Sequence, residues 1–506
     1  MNPISRKFYR SVFGFEDRVI SPFNSTLDVL EQAVVERAKL VKGPDGAFTT
    51  PPRPKPGYTF TRFLEAYVGI AKPSNRMTTS EFIASRPSCK RRLYTNVYKQ
   101  SRDEWLDIQK RSTTKFFIKV EKTEQQHTNF FTGVTTKKPV PRLINPRDPR
   151  YNIELGRYTC KVEHEIYNNI GELFGRPAIA KGMNYWERAS TIRGHWDQFE
   201  EPVFIGGDAS RFDQHVTRHT LKLEHKVLMS HFPQDGWLRT LLNLQLRNTG
   251  YGFTHDGFLR AELGSMRMSG DMNTALGNCI ISAALLYERI HDVGVHAYVI
   301  VDGDDFGVIL ERREARKFMD GASEFYLGHG FSIKWEEPVC VFEKIEFCQT
   351  RPVWTPEGYC MCRHPSKVVN SDYCGYHLSA SQEYHESLMY AIGQAGVTLA
   401  AGMPILQSFY KLGMRVGHKS KHKHIEFQKY WYGQFLRGVQ MVHREVHPQT
   451  RLSFYTAFGF PPHLQVALER EFDMIDTFHS GGLGYYHPTI HETTLPIHYA
   501  CEEEEV

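Results

Sequence analysis

The 506-residue sequence lacks an apolar run long enough to cross a membrane, and it lacks a signal-like start. A spanning helix needs about 20 consecutive apolar residues, and no run in the chain approaches that length. The first residues, Met-Asn-Pro-Ile-Ser-Arg-Lys, hold no apolar core of the kind found in secretory signals. We therefore expect no transmembrane segment of the chain's own, and attachment to a membrane only through a partner or a surface helix.

The sequence also lacks internal repeats, long low-complexity tracts and a cysteine framework. Its nine cysteines are scattered, which favours free thiols in a reducing compartment. One local group could hold zinc and comprises Cys360, Cys362, His364, Cys374 and His377. Because Cys-x-Cys-x-His is not a common finger spacing, ordinary thiols and imidazoles are the favoured interpretation, and zinc is left open.

Charge is nearly balanced overall, at +5, but it is unevenly distributed. From Arg86 to Arg150 there are 16 Lys and Arg against 6 Asp and Glu, so the rest of the chain is net negative. A basic segment can bind phosphate groups, and an acidic centre elsewhere in the chain can be the place where they are transferred. The alternative is a solvated basic surface.

Three motifs follow one another in an informative order. Asp208-Ala-Ser-Arg-Phe-Asp213 comes directly after the apolar run Val203-Phe204-Ile205, and Ser269-Gly270 opens a helical segment. Gly303-Asp304-Asp305 lies between two apolar runs that predict a β-hairpin over Ala297–Leu310. An acid after a strand, a Ser-Gly loop before a helix and an acidic hairpin tip together indicate a nucleotide polymerase.

The acids of the first and third motifs are the candidate metal ligands. Asp208 and Asp304 are predicted to bind two divalent cations, with Asp305 assisting directly or through a neighbour. One cation would activate a 3′-hydroxyl and the other would steady a triphosphate. The alternative for Gly-Asp-Asp alone is a surface turn, because Gly and Asp favour turns.

A second set of residues is predicted to recognise the sugar. Asp213 can accept a hydrogen bond from a ribose 2′-hydroxyl. Asn278 and Thr274 lie on one helix face and can take part in recognising the same hydroxyl. Ser269 could contact the same sugar, and the flexible Gly270 could approach a template backbone. The alternatives are a helix cap at Asp213 and a plain helical turn at Ser269.

Basic side chains are assigned by their surroundings in the sequence. Lys119, Lys122 and Arg142 are predicted to bind a triphosphate, and Arg142 could also stack on a base. The run Lys90-Arg91-Arg92 suits a template backbone. Lys334 is a candidate general acid for the leaving pyrophosphate, although a strand-end lysine is more often a surface residue.

Periodicity predicts a mixture of helices and strands, and hence an α+β fold. Helices are predicted over Leu27–Leu40, Thr217–Phe232, Asn273–His291 and Arg312–Leu327, and the region from Ser379 to about Asp476 is mostly helical. Strands are predicted over Phe331–Trp335 and Lys344–Gln349. Five prolines lie between Gly43 and Tyr58, and the four at Pro51, Pro52, Pro54 and Pro56 predict an extended strap over the surface.

These residues resemble the RNA-dependent RNA polymerases of positive-strand RNA viruses, closest to the tombusvirus-like (Tombusviridae) replicases. The resemblance covers about Ser80 to Trp354. The segments 207–213, 269–278 and 303–305 look like motifs A, B and C of that family. The segment 330–334 is similar to motif D, and 347–349 is similar to motif E. The segments 119–122 and 141–144 together are similar to motif F, and Pro146–Asn152 is particularly like the tombusvirus group.

The resemblance implies a right-hand fold with fingers, palm and thumb. We expect an N-terminal extension and strap at 1–58, fingers and fingertips at 59–200, a palm at 201–350 with a fingers insertion near 233–265, and a thumb and tail at 351–506. The palm would hold an antiparallel sheet with flanking helices, and the thumb would be mostly helical.

It also implies Mg²⁺ or Mn²⁺, ribonucleoside triphosphates, a viral RNA template and its product. A membrane-anchored viral replication protein and host factors would bring the chain to membrane-bound replication complexes in the host cytoplasm. Relatives often extend an anchoring protein by readthrough, whereas this chain suggests a separate or frameshift product. Asp302 stands where relatives commonly carry Asn, and it could alter metal preference or point away. A reverse transcriptase and a non-catalytic RNA-binding subunit are the alternatives.

Overall fold

The structure is a computed structural model that describes residues 4–9, 20–43, 46–100, 107–126, 128, 135–373, 375–377, 382–419, 435, 438–439, 443–475 and 492–495. Helices and antiparallel sheets are mixed along it, as the predicted α+β class requires. Its helices are Leu27–Val34, Thr61–Ile70, Thr79–Ser85, Ser88–Gln100, Ile108–Arg111, Pro149–Leu173, Tyr185–Trp196, Phe212–His215, Arg218–His231, Gly236–Leu244, Thr274–Val293, Ala315–Met319, Ala322–Gly328, Pro365–Ser371, Gln382–Leu399, Leu406–Val416, Pro448–Phe458 and Pro462–Met474.

The strands are mostly short. They are Ile4–Tyr9, Ile20–Ser21, Val41–Lys42, Phe48–Thr49, Thr114–Lys115, Phe117–Ile118, Thr123–Glu124, Leu143–Ile144, Pro202–Ala209, Asn248–Phe253, Phe258–Gly264, Ala297–Asp302, Asp305–Glu311, Ile333–Trp335, Thr350–Thr355, Gly358–Arg363, Gly375–His377 and Glu492–Leu495.

Four of these strands form the central sheet, and we call them β1 (Pro202–Ala209), β2 (Ala297–Asp302), β3 (Asp305–Glu311) and β4 (Ile333–Trp335). Their order across the sheet is β2-β3-β1-β4, and every neighbouring pair is antiparallel. The strand before Asp208, the helices predicted over Thr217–Phe232 and Asn273–His291, the hairpin and the last strand occur in the expected order, with further short helices and two strands between them.

Side chains of the sheet alternate between two hydrophobic cores, as successive residues of a strand must. Val203 and Ile205 of β1 belong to the larger core, which the buried helix Thr274–Val293 also supplies. Phe204 lies on the opposite face with Ile309 of β3, in a core shared with the C-terminal region. The strands are apolar on both sides because both faces of the sheet are covered.

The helix Thr274–Val293 fixes the position of the Ser-Gly motif that precedes it. Every residue from Leu276 to Leu286 is buried, so this helix runs through the interior and not over the surface. It ends at Gly294, where the sequence predicts a stop. The predicted helix over Asn273–His291 is confirmed to within two residues.

The N-terminal region packs against a smaller three-stranded sheet. That sheet has the order Phe258–Gly264, Asn248–Phe253, Thr114–Lys115, so residues far apart in the sequence are joined in it. Leu30 and Val34 of the first helix share a buried cluster with residues next to these strands. The predicted helix from Leu27 is confirmed, and its last turn, Val35–Lys39, is π-helical.

The described part of the Pro-rich segment is the extended strap that the sequence predicts. The Lys55 amide donates to the Gly328 carbonyl over 2.8 Å, and Pro54 contacts Gly330. The strap therefore lies on the end of the helix Ala322–Gly328, just before β4. Its prolines cannot donate to a sheet, which suits an extended surface position.

Two predicted elements differ from the structure. The single helix expected over Arg312–Leu327 is wrong, because a short 3₁₀ turn and two helices occupy that segment, with a break at Gly321, whose φ is +74°. The strand expected over Lys344–Gln349 is also wrong. Cys348 and Gln349 have φ of +50° and +59°, which strands do not adopt, and the chain turns there into the hairpin of Thr350–Thr355 and Gly358–Arg363.

The C-terminal region is mostly helical over the part that the structure describes, as expected. The helices Gln382–Leu399 and Leu406–Val416 pack together, and Pro448–Phe458 packs on the hairpin strand Thr350–Thr355. Phe409 and Phe454 contribute to the core on the second face of the central sheet. Among the described helices, none is long and apolar enough to cross a membrane.

Candidate active site

Three predicted site residues and Asp302 lie together at one end of the central sheet. Asp305 of β3 is the direct cross-strand partner of Asp208 of β1, and Lys334 of β4 lies opposite Asp208 on the other side. Asp302 of β2 is the partner of Asp305. Directly opposed residues share a face and have Cβ atoms about 5 Å apart, so we call Asp302, Asp305, Asp208 and Lys334 the charged row.

Asp304 lies at the tip of the hairpin, beside the row. Because Asp302 pairs with Asp305, only Gly303 and Asp304 form the turn between β2 and β3. Such two-residue turns need positive φ, and Gly303 supplies it at +76°. The Gly303 carbonyl accepts a hydrogen bond of 2.6 Å from Ser282 in the buried helix, which anchors the turn from below.

Burial, and after it the neighbouring acids, raise the pKa of Asp304 and Asp305. Asp304 and Asp305 keep contact with solvent, yet the surrounding protein displaces water and raises the pKa of both carboxyls. For Asp305 the pKa rises to about 6, first through this loss of water and then through the charges of Asp304 and Asp302. A divalent cation would relieve the same repulsion, because it neutralises neighbouring carboxylates.

The donor set fits magnesium in an open site. Within the described ranges, no group of three or more His, Cys, Asp or Glu side chains is arranged so that it could hold a metal ion by itself. Mg²⁺ is usually held by one or two carboxylates, with water and substrate phosphates completing its octahedron. Asp208 and Asp304, with Asp305 beside them, offer the hard oxygen ligands that this arrangement requires.

Asp302 is committed to an ion-pair network. The Arg188 guanidinium donates to its carboxylate, and the Lys181 ammonium lies 3.4 Å from the other oxygen. The side chains of Arg188 and Asp302 are only 4% and 10% exposed, so the pair is largely withdrawn from water. The sequence left open whether Asp302 alters metal preference or points away, and the structure shows its carboxylate paired with Arg188 and Lys181.

Asp213 and Asn278 come from different motifs, and the structure brings them together as predicted. The Asn278 amide donates to the Asp213 carboxylate over 2.9 Å. Burial raises the pKa of Asp213, whereas the bond from Asn278 and the charge of Arg267 lower it. Asp213 lies within the short helix Phe212–His215, and the N-cap residue is Arg211, so the alternative of a capping aspartate is wrong.

The other motif residues are placed as follows. Thr274 opens the buried helix, and its hydroxyl donates to the Met268 carbonyl over 2.8 Å. Ser269 lies near enough to Asp213 to lower the pKa of its carboxyl. Gly270 is bridged to Pro146, and a Cβ on it would lie 2.6 Å from the Pro146 backbone. Close packing therefore requires a glycine here, and the contact of Gly270 with a template backbone stays a prediction.

Two of the three predicted triphosphate ligands meet at one carboxylate. Lys119 and Arg142 both approach Glu121, at 2.9 and 3.4 Å, and the Lys119 amide donates to the Arg142 carbonyl. The charge of Arg142 also lowers the pKa of Asp304, so this arm faces the acids. Lys122 is placed apart, since its ammonium donates to the Ser371 carbonyl over 2.7 Å.

The run Lys90-Arg91-Arg92 lies on the helix Ser88–Gln100. Lys90 and Arg92 are exposed, whereas Arg91 donates to the carbonyls of Ala84 and Arg86 and so supports the preceding helix. Lys90 also lines a cavity of about 350 Å³. Further basic and aromatic side chains of that cavity are Tyr94, Lys110, Arg111, Lys115 and Tyr251.

The cysteine group is only partly described. Cys360 and Cys362 are buried in the strand Gly358–Arg363, and burial raises the pKa of both thiols, to about 12 at Cys362. His364 caps the following helix through its ring. Cys374 and the side chain of His377 lie outside the described residues.

Sequence reasoning missed the buried polar residues that support the site. Arg267 and Glu224 form an ion pair of 2.5 Å with no exposed side-chain surface, and Arg147 pairs with Asp271 over 2.5 Å in the same way. One signal was available, because Arg267 is a lone charge between Met266 and Met268 directly before the Ser-Gly motif. Long-range pairs of this kind leave no periodicity in the sequence.

Comparisons with known proteins agree on one family. A profile of the family described as viral RNA dependent RNA polymerase matches residues 5–479. The RNA-directed RNA polymerase of Tobacco necrosis virus (strain A) is 34% identical over 459 residues, which cover 90% of this chain and 62% of the relative. That of Oat chlorotic stunt virus is 36% identical over 479 residues, covering 89% and 62%.

The RNA-directed RNA polymerase of Carnation mottle virus is 34% identical over 467 residues, covering 90% of this chain and 58% of the relative. The chain thus spans between 58% and 62% of the length of these three relatives.

The Asp302 pair predicts a large difference between two aspartate substitutions. Asp302→Ala leaves Arg188 buried without its anion, which typically costs about 3–5 kcal/mol. Asp320→Ala removes an ion pair with Arg316 whose side chains are 71% and 91% exposed, and pairs of that kind contribute about 0–1 kcal/mol. Urea denaturation of the two variants measures this. Equal midpoints would show that the Asp302 pair is not a buried support.

Proposed function

The chain belongs to the viral RNA-dependent RNA polymerase family, and on that premise we propose that it synthesises RNA on a viral RNA template from ribonucleoside triphosphates. The observation that carries the proposal is the charged row with Asp304 beside it, in the turn between Asp302 and Asp305. Three carboxylates and a lysine meet on one sheet face, next to a residue pair suited to a ribose hydroxyl.

We assign each acid a task in nucleotidyl transfer. Asp208 and Asp304 hold Mg²⁺ or Mn²⁺, with Asp305 beside them. Bound there, the two cations supply an activated 3′-hydroxyl and charge neutralisation for the in-line displacement. The carboxylates orient the reacting groups through these contacts, and Lys334, opposite Asp208 in the sheet, gives a proton to the departing pyrophosphate oxygen.

Lys119 and Arg142, which we call the basic arm, are the residues that we assign to substrate binding. Lys119 and Arg142 bind the triphosphate, which competes with Glu121 for their charges, and Arg142 is within electrostatic reach of Asp304. Lys90 and Arg92 hold the template backbone on the exposed side of their helix. We keep Lys122 as a weaker candidate, because its ammonium is already bonded to the chain.

The division into a right hand is likewise a proposal. The central sheet at 201–350 would be the palm, 59–200 the fingers and 351–506 the thumb and tail. The pairing of Asn248–Phe253 with Thr114–Lys115 supports the assignment of 233–265 to the fingers, since it joins that insertion to the preceding region. Residues 1–58 would tie these parts together through the strap.

The partners follow from the proposed reaction. They are the viral RNA template, the RNA product and the four ribonucleoside triphosphates. We further propose that a membrane-anchored viral replication protein and host factors recruit the chain to membrane-bound replication complexes in the host cytoplasm.

Removal of a metal-binding acid tests the reaction. We expect Asp208→Ala and Asp304→Ala to abolish nucleotide incorporation while RNA binding persists, because affinity for RNA comes mainly from phosphate contacts elsewhere. Primer extension and filter binding measure the two properties. Asp197→Ala, at a half-exposed ion pair on another helix, is the control and should behave as wild type. Wild-type synthesis by either site variant would refute the assignment.

The basic residues should separate into two groups. Lys119→Ala and Arg142→Ala should raise KM for nucleotides. Lys90→Ala and Arg92→Ala should weaken template binding and reduce its dependence on salt, with the slope falling by about one for each phosphate that the variant no longer binds. Steady-state kinetics and salt titrations distinguish the groups. If all four variants change the same parameter, the division between nucleotide-binding and template-binding residues is wrong.

Sugar selection decides between an RNA polymerase and a reverse transcriptase. Asp213→Ala should lower the preference for ATP over dATP about tenfold or more, because a hydrogen bond to a charged acceptor is worth about 1.5–3 kcal/mol. Asn278→Ala should have a smaller effect. The measurement is the ratio of kcat/KM for the two nucleotides on one RNA template. An unchanged ratio in both variants, or a wild-type preference for dATP, would overturn the sugar assignment.

A further inference from the structure

Asn278 is held in one orientation by two different partners. Its side-chain oxygen accepts a hydrogen bond of 2.9 Å from Arg267 Nε, and its side-chain nitrogen donates to Asp213. A flipped amide would face a donor with its own donor and a carboxylate with its own oxygen, so neither bond could form. Arg267 therefore determines that the Asn278 nitrogen points at Asp213.

Arg267 is itself fixed by a buried anion. Glu224, on the helix Arg218–His231, pairs with Arg267 Nη2 over 2.5 Å, and neither side chain is exposed. A buried guanidinium without such a partner is strongly unfavourable, so the two residues stabilise each other. The second Glu224 oxygen accepts a hydrogen bond from Asn273.

Gly277 of the helix Thr274–Val293 lies directly against the Arg267–Glu224 ion pair. A Cβ on Gly277 would lie 2.2 Å from Arg267 Nη2 and 2.4 Å from the Glu224 carboxylate. Any larger residue there would displace the ion pair. Space for Arg267 and Glu224 is therefore part of the helix that presents Asn278.

The same polar chain continues away from the sugar site. Gln245 donates to Asn273 over 2.8 Å and to Asp271 over 3.2 Å, and Asp271 pairs with Arg147. Arg147 lies just after the strand Leu143–Ile144, whose segment includes Arg142. A continuous set of buried bonds thus runs from Asp213 to Arg147, which lies five residues after Arg142 in the sequence.

We infer that Arg267 and Glu224 are positioning residues for sugar selection: the ion pair holds the Asn278 amide, and the amide orients the Asp213 carboxylate towards the 2′-hydroxyl of the incoming nucleotide. The inference rests on the proposed function. A carboxylate has about four acceptor positions, so Asp213 can bind Asn278 and Ser269 and still accept the ribose hydroxyl. Neither Arg267 nor Glu224 touches the nucleotide in this account.

The test uses Arg267→Lys, which keeps the positive charge for Glu224 and removes the Nε donor. We expect the ratio of kcat/KM for ATP over dATP to fall about threefold to fivefold, as for the weakening of one hydrogen bond. The double variant Arg267→Lys, Asn278→Ala should fall no further than Asn278→Ala alone, because both changes act through one amide. A merely structural role predicts unchanged discrimination, or independent decreases that add.

A matched control separates positioning from general damage. Arg289→Lys changes another buried arginine, which donates to the Phe318 and Asp320 carbonyls behind the central sheet, and it should leave the nucleotide ratio unchanged. Gly277→Ala is the second variant if Arg267→Lys does not fold. It keeps both charges and displaces the ion pair, so it should also lower the ratio.

The outcomes separate a failure of the positioning role of Arg267 and Glu224 from a failure of the proposed function. If the wild-type chain incorporates neither nucleotide, or prefers dATP, the proposed function fails. If the wild-type chain prefers ATP and folded Arg267→Lys keeps that ratio within twofold, the positioning role is overturned. The positioning role is also overturned if the ATP-over-dATP ratio falls further in the double variant Arg267→Lys, Asn278→Ala than in Asn278→Ala alone.

Discussion

The register of the central sheet is the constraint on which the rest of the site depends. Three aspartates occupy directly opposed positions on β2, β3 and β1, and Lys334 follows on β4. Opposed like charges are unfavourable, so the pairing must be enforced from elsewhere. The apolar residues that alternate with the row enforce it, because a slip of one residue would move each strand's buried side chains to the other face.

Basic side chains lie next to the charged row at both of its ends. Arg188 and Lys181 neutralise Asp302, and Lys334 stands beside Asp208. Asp304 and Asp305 have a raised pKa, mainly because the protein displaces water from them and then because acids lie nearby, and a bound cation would offset both effects. The Glu224–Arg267 pair holds Asn278 and, through it, Asp213, the two residues proposed to bind the ribose. The sheet register positions the acids, and a separate chain of buried polar contacts positions this pair.

Much of this could be predicted from the sequence, and the remainder has physical reasons. The hairpin around Gly303-Asp304 and the buried helix after Asn273 follow from local patterns, as does the extended strap. The break at Gly321 and the turn at Cys348 and Gln349 do not, since they depend on backbone conformations that only the surrounding packing selects. Lys122 resembles Lys119 in its sequence surroundings, yet its ammonium bonds to carbonyls 249 and 250 residues away.

The account is tested most directly by the chemistry of the purified 506-residue chain on a defined single-stranded RNA. It predicts a product complementary to the template that requires Mg²⁺ or Mn²⁺ and all four ribonucleoside triphosphates, and that is not made from deoxyribonucleotides with comparable efficiency. A folded, RNA-binding chain that makes no templated product with either metal, or that extends with deoxyribonucleotides equally well, would contradict it.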